Sequence, residues 1–147
     1  MKIVKATKKD WKEFKRLKRE SLDWYSKLIK EKIHLSDKDI KKEFDEFSQS
    51  KNKILIIAKD SETKGYLIGS LLINAYTKTG YIDDVFVSAN FRGKGIGKKL
   101  ISEFKIILRK KHIKKMRLGV NPKNKNAIKL YKKLRFKITH YEMEKKL

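Results

Sequence analysis

Three groups of residues in this sequence have the types and spacing to do chemistry. The stretch "RGKGIG", residues 92–97, holds three of the chain's seven glycines at alternate positions, just before an apolar stripe of helical spacing. Glycine lets successive backbone N–H groups face one point, and a helix N-terminus adds its dipole, so this stretch predicts a phosphate cradle. The adjacent acids Asp83 and Asp84 precede it, and Tyr131 follows within a second amphipathic stripe. Carboxylates accept protons and a phenol donates one, so these residues are candidates for acid–base chemistry.

Two familiar phosphate-binding patterns do not fit the glycine stretch. A Walker loop has four residues between its glycines and a hydroxyl residue after its lysine. Here only three residues separate Gly93 from Gly97, and no hydroxyl residue follows. A dinucleotide-binding turn has its last two glycines three apart and an acid about 20 residues later. Here only one residue separates Gly95 from Gly97, and residues 104–141 contain no acid. The sequence therefore excludes both patterns.

Composition restricts the class of protein. The chain has 147 residues, which indicates a single domain spanning 1–147, and its formal net charge is +23 from 40 Lys and Arg against 17 Asp and Glu. Such a surface either attracts polyanions or reflects a lysine-biased proteome. The three histidines lack metal-ligand spacing and there is no cysteine, so we expect no metal site and no disulfide. No stretch resembles a membrane span or a signal peptide, so we expect a cytoplasmic protein.

The apolar pattern predicts an α+β domain. Two helices follow a short first strand, and each is preceded by a capping box, Thr7 with Asp10 and Ser36 with Asp39. Three strands come next, the first two as a hairpin, and then a helix, a strand, a helix and a last strand over "FKITHYEMEKKL". We therefore predict a mixed, mainly antiparallel sheet flanked by helices, with a strand–helix–strand unit near its end.

The glycine stretch and a second motif together resemble one enzyme family. "RGKGIG" matches Arg/Gln-x-x-Gly-x-Gly/Ala, the pyrophosphate loop of the GCN5-related N-acetyltransferases (GNAT). Further along, "VNPKNKNAIKLYKKLRF" resembles that family's Asn-x-x-Ala-x-x-Leu-Tyr-x-x-x-Gly-Phe motif, and the order of elements agrees along nearly the whole chain. The resemblance implies the GNAT, or acyl-CoA N-acyltransferase, fold, with acetyl-coenzyme A (acetyl-CoA) as cosubstrate, an amine as acceptor and no metal.

The resemblance implies cofactor contacts on both motifs. The strand before the loop would pair with the pantetheine arm, and the loop with the head of the next helix would bind the pyrophosphate. Two residues of the second motif would also contact the cofactor. The predicted cofactor-binding set is Val85, Phe86, Val87, Arg92, Gly93, Lys94, Gly95, Ile96, Gly97, Lys98, Asn124 and Tyr131.

The resemblance also implies three catalytic roles. The backbone N–H of Val85 would stabilise the oxyanion, Tyr131 would protonate the leaving thiolate, and Asp83 would take the proton of the amine. Because neighbours in a strand point to opposite faces, we expect only one of Asp83 and Asp84 at the acceptor site, with Asp83 on the face of Val85 and Val87. Asp84 or water as the base, and a lysine ion pair instead of a catalytic carboxylate, are open alternatives.

Two positions depart from the family's pattern. Gly119 stands where ribosomal-protein N-terminal acetyltransferases have a glutamate, which argues against a peptide N-terminus as acceptor. Arg135 stands where the second motif has glycine, and we expect the helix to end differently there because a left-handed arginine is strained. The two N-terminal helices would form much of the acceptor pocket, but helical spacing favours core positions for their aromatics. These are Trp11, Trp24, Tyr25, Phe44 and Phe47.

These observations support one leading function and two alternatives. The first is transfer of an acetyl group from acetyl-CoA to a primary amine, on a small polyamine-like molecule or a protein, by direct attack in a ternary complex. The second is a noncatalytic module that binds RNA or the ribosome through the fourteen Lys and Arg of residues 104–141. The third is an acetyl-CoA sensor without catalysis. We expect no membrane partner and either a monomer or a homodimer.

Overall fold

The computed structural model describes all residues, 1–147, and contains one five-stranded sheet and four α-helices. The strands are β1 (Lys2–Lys5), β2 (Lys53–Lys59), β3 (Thr63–Ile73), β4 (Lys78–Val87) and β5 (Lys115–Leu118). The helices are α1 (Trp11–Ile29), α2 (Asp37–Gln49), α3 (Ile96–Lys110) and α4 (Lys125–Lys133). None of the helices has the length and apolarity needed to cross a membrane.

The strands lie side by side in chain order, β1-β2-β3-β4-β5. The first four pair antiparallel, and β5 pairs parallel with β4 after the crossover through α3. This confirms the predicted mixed sheet, the β2–β3 hairpin and the strand–helix–strand unit. The parallel ladder is short and joins only Thr79–Ile82 to Lys115–Leu118. β4 itself continues beyond the ladder to Val87.

Helices cover both faces of the sheet. α1 and α2 pack on one face and bury an aromatic-rich cluster of Phe14, Leu17, Ile40, Phe44, Phe47, Leu55, Ile57, Tyr66, Ile68 and Phe86. α3 packs on the other face and buries a largely aliphatic cluster of Ile54, Ile56, Ala58, Leu67, Leu71, Ile82, Ile96, Leu100, Ile101, Phe104, Leu108 and Ile113. Removal of this apolar surface from water holds the layers together. Phe44 and Phe47 are core residues, as their helical spacing predicted.

The two predicted capping boxes are present. Thr7 and Asp10 form one at the short 3₁₀ turn that leads into α1, and Ser36 and Asp39 form the other at α2. At α2 the Asp39 N–H donates to the Ser36 hydroxyl oxygen, and the Ser36 N–H donates to the Asp39 carboxylate, each over 3.1 Å. These bonds satisfy backbone donors that a helix start would otherwise leave unpaired.

The prediction of a last strand is wrong. Residues 136–147 form neither strand nor helix, and the sheet ends at β5. The large apolar side chains of this segment beyond Phe136 are exposed, namely Ile138, Tyr141, Met143 and Leu147. Alternating apolar residues are a strand signal, but a strand forms only against a partner edge, and no edge of this chain accepts this segment.

Candidate active site

The glycine stretch forms a turn between the end of β4 and the start of α3. Gly93 and Gly95 both have a φ of 75°, a left-handed conformation that residues other than glycine rarely adopt. A Cβ built at either position would meet no atom within 4 Å, so both glycines border open space. The turn therefore needs glycine for its conformation and presents its backbone to the outside.

This turn leaves a run of backbone donors unused. No N–H from Gly93 to Lys98 donates to another protein group, and the first bond of α3 runs from the Lys99 N–H to the Gly95 carbonyl. Gly95 is the N-cap residue and has no side chain to satisfy these donors. Unpaired N–H groups at a helix start bind anions through their hydrogen bonds and through the helix dipole.

The charges around the start of α3 favour the same ligand. Its first turn contains no acidic residue, and Lys94, Lys98 and Lys99 are exposed around it. Cations at the positive end of a helix dipole are unfavourable by themselves. A bound polyanion reverses that effect, so the donors and charges present here fit a diphosphate.

Side chains from α1 hold the turn in place. Glu20 accepts hydrogen bonds from the Ser88 hydroxyl and from the next residue's N–H, each 2.9 Å long, where β4 ends. The Arg92 Nε donates to the Val87 carbonyl over 2.9 Å, and its guanidinium carbon lies 5.4 Å from the Trp24 ring centroid. Arg92 is thus fixed to the end of β4, and its terminal nitrogens are the part available to an anion.

A gap opens beside the last residues of β4, because β4 and β5 separate after their short parallel ladder. The Ser88 N–H donates to the Lys64 carbonyl of β3 over 2.9 Å, so Phe86, two residues earlier, also directs its N–H toward β3. Val85 and Val87 alternate with these residues, and their N–H groups therefore point away from β3 into the gap. Phe86 contributes a buried side chain rather than a free donor.

Tyr131 lies on α4, which packs beside this gap. A Cβ at Gly97 would lie 3.6 Å from Leu130 and 3.9 Å from Val87, so α4, the start of α3 and the end of β4 meet here. Burial raises the pKa of the Tyr131 phenol to about 12, and the negative charge of Asp84 adds to the shift. The phenol keeps its proton at neutral pH, as a general acid must.

The end of α4 fixes the position of Tyr131. The Phe136 N–H donates to the Tyr131 carbonyl over 2.9 Å and the Arg135 N–H donates to the Lys132 carbonyl over 3.0 Å, which are the two bonds of a Schellman motif. The Phe136 and Tyr131 rings pack edge to face with centroids 5.7 Å apart. Arg135 has a φ of 66°, so the expectation of a different helix ending is wrong, and arginine occupies the left-handed position.

Asn124 caps the other end of α4. Its side-chain oxygen accepts a hydrogen bond from the Ala127 N–H over 3.2 Å, so the predicted capping role is present. The NH₂ group of the same amide makes no hydrogen bond within the protein and remains a free donor.

The two acids of β4 lie on one face of the sheet, not on opposite faces as predicted. A β-bulge in the β3–β4 ladder leaves Asp83 as an extra residue. Asp83 accepts a hydrogen bond from Ser70 and Asp84 accepts one from Tyr66, and these two β3 residues point toward α1 and α2. Asp83 is therefore on the face opposite to the side chains of the two valines at the end of β4, because the bulge shifts the alternation by one residue.

Asp84 is the centre of a half-buried ion-pair network that the sequence reasoning missed. Lys18 on α1 is only 8% exposed, and its ammonium lies 2.9 Å from Asp84 and 3.1 Å from Glu43. The Tyr66 hydroxyl donates to the same oxygen of Asp84 over 2.7 Å. Burial alone would lower the pKa of Lys18, but the charges of Asp84 and Glu43 outweigh it and raise the pKa above its usual value.

The two acids therefore differ in what surrounds them. One oxygen of Asp84 already binds both Lys18 and a tyrosine hydroxyl. Asp83 binds the Ser70 hydroxyl, and its nearest ammonium, that of Lys53, is 4.0 Å away. Asp83 has the weaker counter-charge of the two.

Comparison with known proteins defines the class to which this fold and site belong. The sequence profile of the Acetyltransferase (GNAT) family matches residues 12–136. The chain belongs to the GNAT family of acetyltransferases.

One curated relative is the thialysine N-epsilon-acetyltransferase of Mus musculus, which is 35% identical over 83 residues. The match covers 52% of this chain and 49% of the relative, so the chain spans about half the length of the curated relative it matches.

Solved structures of similar proteins share the fold. A mutant of the BH1408 protein from Bacillus halodurans has a TM-score of 0.86 at 22% identity, covering 100% of this chain and 99% of that chain. AAC(6')-Iy in complex with a bisubstrate analogue has a TM-score of 0.82 at 20% identity, covering 99% and 97%. The predicted α+β GNAT fold is confirmed.

Proposed function

We propose that the protein is an N-acetyltransferase that transfers the acetyl group of acetyl-CoA to a primary amine on a small lysine-like or diamine acceptor. The observation that carries the proposal is the open end of β4. Unpaired donors at the start of α3, the free strand edge at Val85 and the protonated Tyr131 surround one gap. The names of similar proteins, acetyltransferases for thialysine and for an aminoglycoside, support an amine acceptor.

The residues around the gap fit coenzyme A. The N–H groups from Gly93 to Lys98 would bind its diphosphate, with Arg92 and the nearby lysines adding positive charge. The open edge of β4 at Val85 and Val87 would pair with amide groups of the pantetheine arm, as an added strand would. The free NH₂ of Asn124 is a further donor. Bound here, acetyl-CoA supplies the acetyl group and a thiolate leaving group.

Three groups of the chain would then act on the reaction. The Val85 N–H donates to the carbonyl oxygen as negative charge develops on it. Asp83, acting through water, removes a proton from the amine as the N–C bond forms, and the Tyr131 hydroxyl protonates the sulfur as the C–S bond breaks. One proton leaves the amine and one reaches the thiolate, so the transfer is balanced.

The charges around Asp83 and Asp84 limit the number of positive charges that the acceptor can carry. Three carboxylates lie there, those of Asp83, Asp84 and Glu43, and the two ammonium groups of Lys18 and Lys53 neutralise two of them. One net negative charge attracts an acceptor with few cations. The net charge of +23 on the whole chain repels a polycation at long range, so a lysine-like molecule or a short diamine fits better than a long polyamine.

A panel of acceptors tests the proposal. Lysine, thialysine, a short diamine, spermine and an aminoglycoside are each offered with saturating acetyl-CoA, and the released thiol is followed with a thiol reagent. The chain has no cysteine, so the protein adds no background. We expect kcat/KM for the first three to exceed that for spermine about tenfold, with the acetyl group on a terminal amine by mass spectrometry. A protein that binds acetyl-CoA and acetylates none of these amines contradicts the proposal.

A second candidate function is the binding of an anionic partner such as RNA or the ribosome. All fourteen Lys and Arg of residues 104–141 are exposed, and none of them pairs with a carboxylate. Counterion release makes such binding steeply salt-dependent. Binding of a short RNA that is strong at low salt and lost at high salt supports this candidate, and no binding at low salt removes it.

A further inference from the structure

We propose that Lys18 sets the acceptor preference of this protein, because its ammonium occupies a cation site beside Asp83 and Asp84 that a further ammonium of a polyamine would otherwise fill. The inference rests on the proposed function, since it names the residue that selects among amine acceptors. The cation site itself can be measured without acetyl-CoA or any reaction, so a failure of this inference is distinguishable from a failure of the proposed function.

The Lys18 ammonium has the surroundings of a bound ligand. It lies 2.9 Å from a carboxylate oxygen of Asp84 and 3.1 Å from one of Glu43. It also lies over the Tyr66 ring, 5.9 Å from the ring centroid. Carboxylates and aromatic faces are groups with which proteins bind ammonium ligands. Here the ammonium that fills the site belongs to the protein itself.

Lys18 reaches this site from the core side of α1. Only 8% of the residue is exposed, and its neighbour Leu17 is fully buried. Burying a lysine costs desolvation energy even when it is paired, and replacing a buried ion pair by apolar residues of similar size is often neutral or stabilising. Stability alone therefore does not explain a lysine at this position.

The cation site adjoins the groups proposed to act on the acceptor. Asp84 follows Asp83 directly in the chain, and the β-bulge puts both carboxylates on the same face of the sheet. The charge of Asp84 also contributes to the raised pKa of Tyr131, so Asp84 is within electrostatic range of the proposed acid. A polyamine whose reacting nitrogen lies at Asp83 would bring a further ammonium toward Asp84.

The occupied site discriminates between acceptors by charge. A further ammonium that approaches Asp84 meets the Lys18 ammonium already bound there, and like charges repel. A lysine-like acceptor carries a carboxylate beside its second ammonium, so its far end is neutral overall. The further ammonium groups of a polyamine have no such balance. Lys18 therefore favours the lysine-like acceptor and disfavours the polyamine.

Removal of the lysine stem tests the site with an added amine. Lys18→Ala keeps the Cβ and deletes a piece the size of propylammonium, so propylammonium chloride is the probe. In thermal unfolding of the protein alone, it should raise the melting temperature of Lys18→Ala saturably, because a ligand that binds only the folded state stabilises that state. Lys18→Met removes the charge but fills the space, so this variant and the natural chain should respond only as they do to sodium chloride.

The carboxylates provide the matched controls. Lys18→Ala with Glu43→Gln has one unpaired carboxylate fewer, which protects folding if Lys18→Ala alone is too unstable, and propylammonium should still stabilise it through Asp84. Adding Asp84→Asn should abolish the response. No response to propylammonium in either open variant, or an equal response in Lys18→Met or in the variant without both carboxylates, overturns the proposal.

The acceptor preference tests the consequence for the reaction. In Lys18→Ala a spermine ammonium takes the vacated site, so the ratio of kcat/KM for lysine to that for spermine should fall about tenfold, mainly through a lower KM for spermine. Lys18→Met, whose side chain still fills the site, should shift the ratio less. An unchanged ratio in Lys18→Ala overturns the role of Lys18 in selection. If no variant acetylates any amine, the proposed function fails and this role fails with it, while the propylammonium result still decides on the cation site.

Discussion

The helices α2 and α3 begin in opposite ways. At α2, Ser36 and Asp39 satisfy each other's backbone and side-chain groups, and acids lie at the positive end of the dipole. At α3, Gly95 has no side chain to cap with, the N–H groups from Gly93 to Lys98 have no partner, and lysines surround the positive end. The first start stabilises the fold, whereas the second leaves its donors unpaired within the protein.

The same contrast exists along β4. Asp84 is paired with Lys18 and Tyr66, while the N–H of the next residue, Val85, faces an open gap. We call groups with partners inside the protein closed and groups without them open. Changes at closed groups should lower stability at constant cofactor affinity. Changes at open groups should lower binding or turnover, and should lower stability only where the new residue strains the backbone.

The largest effect is expected at the open Tyr131. Tyr131→Phe should lower kcat about hundredfold, because the thiolate loses its proton donor, while acetyl-CoA affinity and melting temperature stay the same. The pKa of about 12 also means that the natural protein keeps this acid well above pH 10, where an ordinary phenol ionises. Steady-state kinetics and calorimetry measure these effects. Tyr76→Phe, at a tyrosine that is 97% exposed, is the control and should change neither quantity. If Tyr131→Phe lowered stability as well as rate, Tyr131 would be a closed group.

The next-largest effect is expected at the closed group Lys18. Lys18→Met should lower the free energy of unfolding by about 2 kcal/mol, because it leaves half-buried carboxylates without a cation. Adding Asp84→Asn should recover part of the loss, and Lys12→Met, on the exposed side of the same helix, should lose nothing.

The pH dependence of Lys18→Met gives a second readout. Because folding raises the pKa of Lys18, its stabilisation is complete below the ordinary pKa of 10.5 and is lost as pH rises through the folded value. The stability of the variant and of the natural protein should therefore converge at high pH. A constant difference in denaturant unfolding would show that packing, not charge, is responsible.

Gly95→Val tests the open start of α3. A β-branched residue at a φ of 75° is strained by about 1–2 kcal/mol, so the turn should shift and acetyl-CoA should bind about tenfold more weakly. Lys94→Ala, which removes a charge but allows the same backbone, is the matched variant and should lose less in calorimetric titration. Unchanged affinity in Gly95→Val would mean that the donors of this turn do not hold the cofactor.

Ser36→Ala is the matching test at the closed start of α2. It should lower the free energy of unfolding by about 1 kcal/mol and leave acetyl-CoA affinity unchanged. Ser102→Ala, at an exposed serine of α3, should cost no stability. If Ser36→Ala weakened cofactor binding, the division into closed and open groups would fail.

The smallest effect is expected at Arg135. Arg135→Gly should raise the free energy of unfolding by about 0.5 kcal/mol, the balance between relief of left-handed strain and the larger unfolded-state entropy of glycine. Lys133→Gly, two residues earlier in ordinary helical conformation, should be destabilising instead. A loss of stability in both variants would show that the Arg135 side chain contributes more than its backbone strain costs.

Local patterns predicted the glycine turn before α3 and most of the fold. Glycine spacing and capping boxes act within a few residues, so the turn before α3 and the starts of the helices could be read directly. The sheet faces on which Asp83 and Asp84 lie could not be predicted in this way, because the bulge depends on pairing with β3. A lysine on the apolar stripe of α1 was a signal for an acidic partner, but that partner, Asp84, lies 66 residues away in the chain. The alternating pattern of the tail predicted a last strand that the chain does not form, because a strand depends on a partner edge that the local sequence does not reveal.

Under the proposed function the N–H groups of Gly93–Lys98 bind a diphosphate, and acylated and free coenzyme A carry the same one. Under the proposed function the spent coenzyme therefore competes with the fresh one for the same donors, because the acetyl group lies at the far end of the molecule. The protein would then respond to the ratio of acetyl-CoA to free CoA around it, and not to the amount of acetyl-CoA alone.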